Sequence, residues 1–347
     1  MGQTGFFDLQ DRLKSLDEMG DPLEALNQVI PWEDFRSMLR QGLRNKDRKS
    51  EAGRPPFDEV LMFKVLVLQA LYNLGDDRTQ FHIQDRLSFM RFLGLCMDGK
   101  VPDAKTIWLY RNTLAQGGWI DKLFAKFNRH LDKAGLKAQG GQIIDASIVE
   151  VPRQRNTEDE NKQVKKGETP KEWKKEPEKL RQKDMDARWV KKNGINHYGY
   201  KNHVNVDRKH KLIRTFEVTA AHVHDSQAMK ELLDRKNRKK LWADSAYRSE
   251  KSALALKRRG YENLIHYKSN RNHPMTEFQD LLNKTRSKVR ARVEHVFGHM
   301  ESSMGGNWLR VVGQVRARMK IGMRNLAYNM QRFTHIMGRM RPQTIAA

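Results

Sequence analysis

The sequence predicts a mixed five-stranded α/β sheet with flanking helices, preceded by an all-helical N-terminal domain. Three observations carry that prediction. Apolar residues recur at helical spacing over residues 1–135. From about residue 141, short runs rich in β-branched and aromatic residues replace that period. Those runs then alternate with helical stretches in an order that a single sheet accommodates.

In the N-terminal block, a helical run follows Pro55 and Pro56, extends from Asp58 to Leu74 and closes at Gly75. Its apolar part from Val60 is too short to span a bilayer and is interrupted by Lys64, so it reads as a core helix. The stretch RTQFHIQDRLSFMRFLGL accommodates two short helices packed at an angle. A further run starts after Pro102 and Asp103 and stops at Gly117 and Gly118. In the last, Ile120, Leu123, Phe124, Phe127 and Leu131 share one face, and Gly135 ends it.

The strand-rich half begins with GQIIDASIVEV, a buried strand. HYGYKNHVNVD and KLIRTFEVTAA are two more, joined by the turn-like DRKH. Asp225 or Ser226 then caps a helix carrying Met229, Leu232 and Leu233. KKLWADSAY is a fourth strand, Ser249 caps the next helix, ENLIHY is a fifth strand, and a last helix runs from about Glu277 through Glu294. Three neighbouring strands followed by helix, strand, helix, strand, helix is the order of a ribonuclease H-type sheet. Residues 153–194, between the first two strands, are rich in Lys, Glu and Gln and nearly devoid of aliphatics, so a solvated loop or a lone charged helix is the default reading. The chain divides accordingly into a helical domain over 1–140, an α/β domain over 141–300 with that charged insertion, and a basic helical segment over 301–347.

A balance of 66 Lys and Arg against 42 Asp and Glu, net +24, implies a polyanionic partner. The insertion contributes 14 basic against nine acidic residues over 151–195, and it springs from the strand carrying Asp145, where it could clamp DNA. The tail from 281 holds 13 basic residues against Glu294 and Glu301 alone, with apolar residues interspersed, which marks an ordered basic surface. Several short helices in such a chain suggest a DNA-reading module of helix-turn-helix type, with a dimerisation scaffold as the alternative. The N-terminus lacks a basic region followed by a long apolar one, so no secretory signal is expected. Cys96 is the single cysteine, which rules out an intrachain disulfide and an all-cysteine metal site and points to a cytoplasmic protein. Any metal must then sit on oxygen or nitrogen ligands.

Asp145 lies within Ile143, Ile144, Asp145, Ala146, where a carboxylate costs several kcal/mol unless it is paired, protonated or metal-bound. Asp244 repeats the situation after Leu241, Trp242 and Ala243. The predicted sheet makes these two strands adjacent and parallel, so the carboxylates converge at their carboxyl ends. Glu294, in VRARVEHVFGHMES, is expected on the helix face that carries Val289, Val293, Val296 and Phe297 toward the sheet. Three carboxylates suit two divalent ions that activate the nucleophile and stabilise the leaving group in phosphodiester hydrolysis. Taken singly, the two aspartates could be strand-end ion pairs with lysines, and Glu294 could pair with Arg290 one turn earlier. Lys201 and His203 alternate with Tyr200 and Asn202 on the strand beside Asp145, so one pair faces the cleft, with a phosphate contact as a role. His222 and His224 read as turn and cap residues before metal ligands, and Trp242 reads as core before a base-stacking group.

At these residues the chain resembles the insertion-sequence-five family of bacterial DDE transposases. The pieces are IPWEDFR at 30–36, PPFDEVLMFKVLVLQALYNLGD from 55, IDAS with Asp145, DARWVKKNGINHYGYKNHVNVD from 186, ADSAYRS with Asp244 and RARVEHVFG with Glu294. The resemblance implies a ribonuclease H-like catalytic domain and a helical N-terminal domain that recognises transposon ends. It also implies cleavage and strand transfer with two Mg²⁺ (or Mn²⁺) ions on Asp145, Asp244 and Glu294. Arg290 is the arginine of the signature around the last acid and would contact a phosphate or orient Glu294. Where related transposases carry a tyrosine and a lysine in that signature, this chain has Ser287 and Glu301, leaving Lys288, Arg292 or His299 as substitutes. Lys191 and Lys192 are further candidate DNA contacts. The expected partners are double-stranded DNA, as transposon ends and target, and a second copy of the chain in the DNA complex, with no membrane. The same acids would serve a metal-dependent nuclease or resolvase, and an inactive DNA-binding regulator is the other alternative.

Overall fold

A computed structural model describes residues 7–43, 55–234, 237, 239–269 and 274–340. The chain forms two compact units, Met1–Trp119 with Leu326–Ala347, and Ile120–Asn325.

The first unit contains α1 (Asp8–Glu18), α2 (Pro22–Val29), α3 (Arg36–Leu43), α4 (Glu59–Tyr72), α5 (Asp76–Asp85), α6 (Leu87–Leu93) and α7 (Ala104–Gln116). Helix α4 is apolar on every side and is correspondingly buried, from Val60 through Leu71. Asp58 starts it by accepting the Val60 and Leu61 amides, each at 2.9 Å. Asn73, in the left-handed conformation at φ 49°, ends it, and Gly75 instead precedes α5 as its N-cap. Lys64 keeps its charge among apolar neighbours by donating to the Asn27 side chain (2.7 Å) and the Phe92 carbonyl (3.1 Å), while burial lowers its pKa.

The second unit opens with α8 (Trp119–Lys133), where Phe124 meets Phe216 edge-on at 5.0 Å. The sheet contains β1 (Gln142–Glu150), β2 (Arg188–Lys192), β3 (Ile195–Asp207), β4 (Ile213–Ala220), β5 (Lys240–Ala243) and β6 (Glu262–Asn263). Its order is β2-β3-β1-β5-β6, and β4 follows β2 along the same edge of β3. β1 runs antiparallel to β3 and parallel to β5, and β5 runs parallel to β6. This is the mixed ribonuclease H-type arrangement, with six strands where five were expected. The extra strand is β2, a charged run without apolar alternation that pairs because Asn193 (φ 50°) and Gly194 (φ 82°) make a tight turn into β3.

The charged insertion is neither a loop nor a lone helix. It folds into α9 (Glu158–Lys165), α10 (Lys171–Lys175) and α11 (Pro177–Gln182) before β2. Trp173 is fully buried and donates its indole N–H to Glu160 at 2.6 Å, and Glu160 also closes a capping box with Thr157. Tyr200 of β3 donates its hydroxyl to buried Asp184 at 2.8 Å. Polar pairs around one tryptophan replace the aliphatic core that the composition could not supply.

Helices α12 (Asp225–Leu232) and α13 (Glu250–Arg258) cover one face of the sheet through a cluster that includes Ile144, Met229, Leu232, Leu241, Ala243, Leu256 and Ile265. His224, rather than Asp225 or Ser226, caps α12 by accepting the Ser226 amide at 3.3 Å. Helices α14 (Glu277–Ser302) and α15 (Gln314–Met340) follow. α14 packs on β1 and β5, and Asn325 of α15 exchanges two amide hydrogen bonds with Asn202 of β3, at 2.8 and 3.0 Å. At Gly199 (φ 152°) a Cβ would lie 2.3 Å from the Val149 carbonyl oxygen, so β3 can approach β1 there only as glycine. Among the described residues, no helix is long and apolar enough to cross a membrane.

Candidate active site

The ladder between β1 and β5 pairs Ile144 with Ala243. One residue further, Asp145 lies beside Asp244, so the two acids are neighbours as expected, but only β5 ends there: Asp145 sits inside β1, which continues to Glu150. Ile144 and Ala243 point into the cluster under α12 and α13, so by strand alternation the two aspartates emerge on the opposite face, where α14 lies. Asp145 accepts the Ala146 amide at 2.8 Å. Asp244 accepts the Ser245 amide at 2.5 Å and caps the short turn Ser245–Tyr247.

Arg290 of α14 joins two of the three acids. Its Nη1 donates to Asp145 at 2.6 Å and its Nη2 donates to Glu294 at 2.8 Å. Val293 and Val296 face the core as expected, but Glu294 stands beside that face with 57% of its side chain exposed. Its ion pair with Arg290 is the one anticipated along the helix. Burial raises the Asp145 pKa and Asp244 adds to the rise, against the lowering effects of Arg290, the Ala146 amide and Lys192. Lys192 exerts that effect from the turn end of the β2–β3 hairpin.

Two residues beside the acids were not anticipated. Tyr247 is fully buried with no partner for its hydroxyl among the described residues, and burial raises its pKa further in the field of Asp225, Asp145 and Asp244. His266 follows β6, and its amide donates to the Ala243 carbonyl at 3.1 Å, which continues the parallel ladder and sets His266 beside Asp244. His266 follows a signal visible in the sequence, an apolar run ended by a polar side chain, but its meaning depends on strand register. Next to His266, Arg248 and Arg286 each donate to the Ile265 carbonyl at 2.8 Å and flank the Tyr267 ring at 4.0 and 4.6 Å.

The other candidates separate. Lys201 and His203 lie on the face opposite Asp145, which overturns their reading as cleft-facing phosphate contacts. Lys201 is tied to Asp225 at 2.7 Å and to the Val223 carbonyl at 2.8 Å. His203 is completely buried against Thr219, and burial lowers its pKa to about 4. Alternation gives the Asp145 face to Tyr200 and Asn202, both consumed by internal hydrogen bonds. Arg292 donates to the Arg208 carbonyl at 2.5 Å, whereas Lys288, Lys191 and Lys192 are exposed. Trp242 is core, with the Arg208 guanidinium over its ring at 5.3 Å.

The donor set suits a hard divalent cation, because two carboxylates are neighbours where β5 ends against β1 and Asp145 is buried where its charge requires compensation. Among the described residues, no group of three or more His, Cys, Asp or Glu is gathered closely enough to hold an ion, and Arg290 lies between Asp145 and Glu294.

Two family models set the class, that of the DDE-type transposases. Residues 137–330 match the family described as Transposase DDE domain, and residues 11–113 match Transposase domain (DUF772). The chain belongs to the DDE transposase family and is a DNA transposase, an enzyme of a family that uses divalent metal ions. Among solved structures it is similar to one described as a cryo-EM structure of piggyBac transposase synaptic complex with hairpin DNA, at 12% identity and a TM-score of 0.45, over 94% of this chain and 83% of that one.

Proposed function

We propose that this transposase binds the terminal inverted repeats of an insertion sequence, hydrolyses the strand at the element's end and joins the freed 3′ hydroxyl to target DNA. Asp145, Asp244 and Glu294 are the catalytic acids and metal ligands. When bound, two Mg²⁺ (or Mn²⁺) ions supply positive charge at the attacking and leaving oxygens. Arg290 keeps Asp145 and Glu294 oriented, and on binding substrate it exchanges a carboxylate for a phosphate oxygen, a bidentate partner of the same geometry. Lys288, Arg292, Lys191 and Lys192 contact the DNA backbone. The helical region over 1–140 recognises the ends, two copies form the complex on DNA, and the protein works in the cytoplasm.

The observation that carries this reading is the parallel register that sets Asp145 beside Asp244, with Arg290 linking Asp145 to Glu294. The test is Asp145→Asn with duplex carrying the element's end. Cleavage and joining should both fall at least about 1000-fold, on the scale of losing a centre that acts as a unit, while affinity for the duplex stays unchanged. Chelation should abolish cleavage and leave binding intact. Cleavage without any joined product would favour a nuclease or resolvase, and full activity in Asp145→Asn would refute the assignment of the site.

A further inference from the structure

His266 is the third polar side chain in a row across the parallel strands. The ladder that places Asp244 beside Asp145 continues through Leu264 N–H to the Leu241 carbonyl (2.8 Å) and His266 N–H to the Ala243 carbonyl (3.1 Å). Ile265 points into the apolar cluster under α12 and α13. Alternation therefore sends the His266 ring to the face shared by Asp145, Asp244 and α14. Its Nε2 is buried and has no hydrogen-bond partner among the described residues. A buried ring nitrogen left unmatched is uncommon and requires an explanation, one being a ligand that completes it.

The charges around the ring indicate which ligand. Asp244 is its neighbour along the parallel ladder, Arg286 of α14 donates to the carbonyl of the preceding residue, Ile265, and Arg290 of α14 holds Asp145. The orphaned Nε2 thus shares its face with two guanidinium groups and a carboxylate, a setting for an anionic group that accepts a hydrogen bond. A phosphodiester strand crossing the end of β5 beside Asp145 presents the oxygens that such a position lacks.

We propose that His266 is a further catalytic residue that donates its Nε2–H to a non-bridging oxygen of the phosphate held over Asp145 and Asp244. The contact fixes the phosphate for in-line attack and withdraws charge from it, without taking part in proton transfer. This inference rests on the reading of Asp145 and Asp244 as the catalytic acids.

The test compares His266→Leu and His266→Gln with the wild-type protein on a labelled duplex carrying the element's end. Gln retains a donor near the Nε2 position, and Leu does not. Cleavage by His266→Leu should fall in kcat by about 100- to 1000-fold, the range for losing one donor to a developing charge. KM, duplex affinity in chelator and melting temperature should stay as in the wild type, and His266→Gln should recover most of the rate. In ¹⁵N-histidine spectra of the wild-type protein, the Nε2 signal of His266, assigned with His266→Gln, should shift when duplex is added without metal. A His266→Leu protein that cleaves normally, a Gln variant no better than Leu, or an unmoved Nε2 signal would each overturn the proposal. The spectrum decides the matter if His266→Leu melts early. An active Asp145→Asn protein would bring down the underlying site, whereas an inactive one with normal His266→Leu would bring down only the histidine's role.

Discussion

Arg290 compensates Asp145 only in part, since the aspartate's pKa stays above its ordinary value despite a 2.6 Å hydrogen bond to the guanidinium. A carboxyl whose folded pKa is raised stabilises the fold below its unfolded pKa and weakens it once pH rises through the folded value. Asp145→Asn should therefore raise the melting temperature of metal-free protein near neutral pH, by about 2–4 °C if the relief is about 1 kcal/mol. The gain should vanish below about pH 4, where aspartate is protonated in both states. Melting curves in chelator from pH 3 to 8 check this, and a gain that persists at low pH would contradict it. Asp145 and Asp244 were legible in the sequence because a carboxylate in an apolar run needs a reason to be there. Glu294 was legible from the signature around it, but its exposed position was not, since helical periodicity places a residue on a side of the helix without fixing its depth. His266 was invisible in ENLIHY, because a strand reveals its neighbours only once its register is known.

At the scale of elements, the insertion shows where composition misleads. A segment nearly without aliphatics orders around Trp173, whose indole is satisfied by Glu160. Trp173→Ala should cost about 3–5 kcal/mol locally and open the region from 153 to 187 to limited proteolysis, with the sheet around β1 and β5 still protected. Simultaneous loss of the sheet would show that the insertion is not a separable element. Gly199→Ala should fare worse, because its Cβ would meet the Val149 carbonyl oxygen in the strand pair that carries Asp145. Insoluble protein or a melting temperature lowered by several degrees is expected, and wild-type expression and melting would refute it. The three-strand meander and the two parallel strands were legible from alternation and order. Strand β2 was hidden because RWVKK carries the same charge as the segment around it, and the pairing is imposed by the Asn193–Gly194 turn and by β3.

Over the whole molecule, a net charge of +24 makes attraction to phosphate the dominant contribution to DNA affinity. If about 6–10 phosphates are contacted, affinity should fall roughly 10³- to 10⁵-fold between 50 and 200 mM salt. Anisotropy titrations of a duplex across that range check it, and a shallow dependence would mean that most of the charge lies away from DNA. The segment after α14 adds a mechanical consequence. Asn307 and Leu309 exchange backbone hydrogen bonds with Glu150, each at 2.8 Å, while Arg290 grips Asp145 on the same strand. From Asp145 to Glu150 the strand spans about 17 Å, and from Arg290 to Ser302 the helix spans about 18 Å. Strand and helix are thus two sides of a closed frame riveted at both corners, and a one-turn slide of the helix would tear one rivet out. The spacing between the strand-borne acids and the helix-borne one is therefore gauged by the chain itself before any DNA arrives.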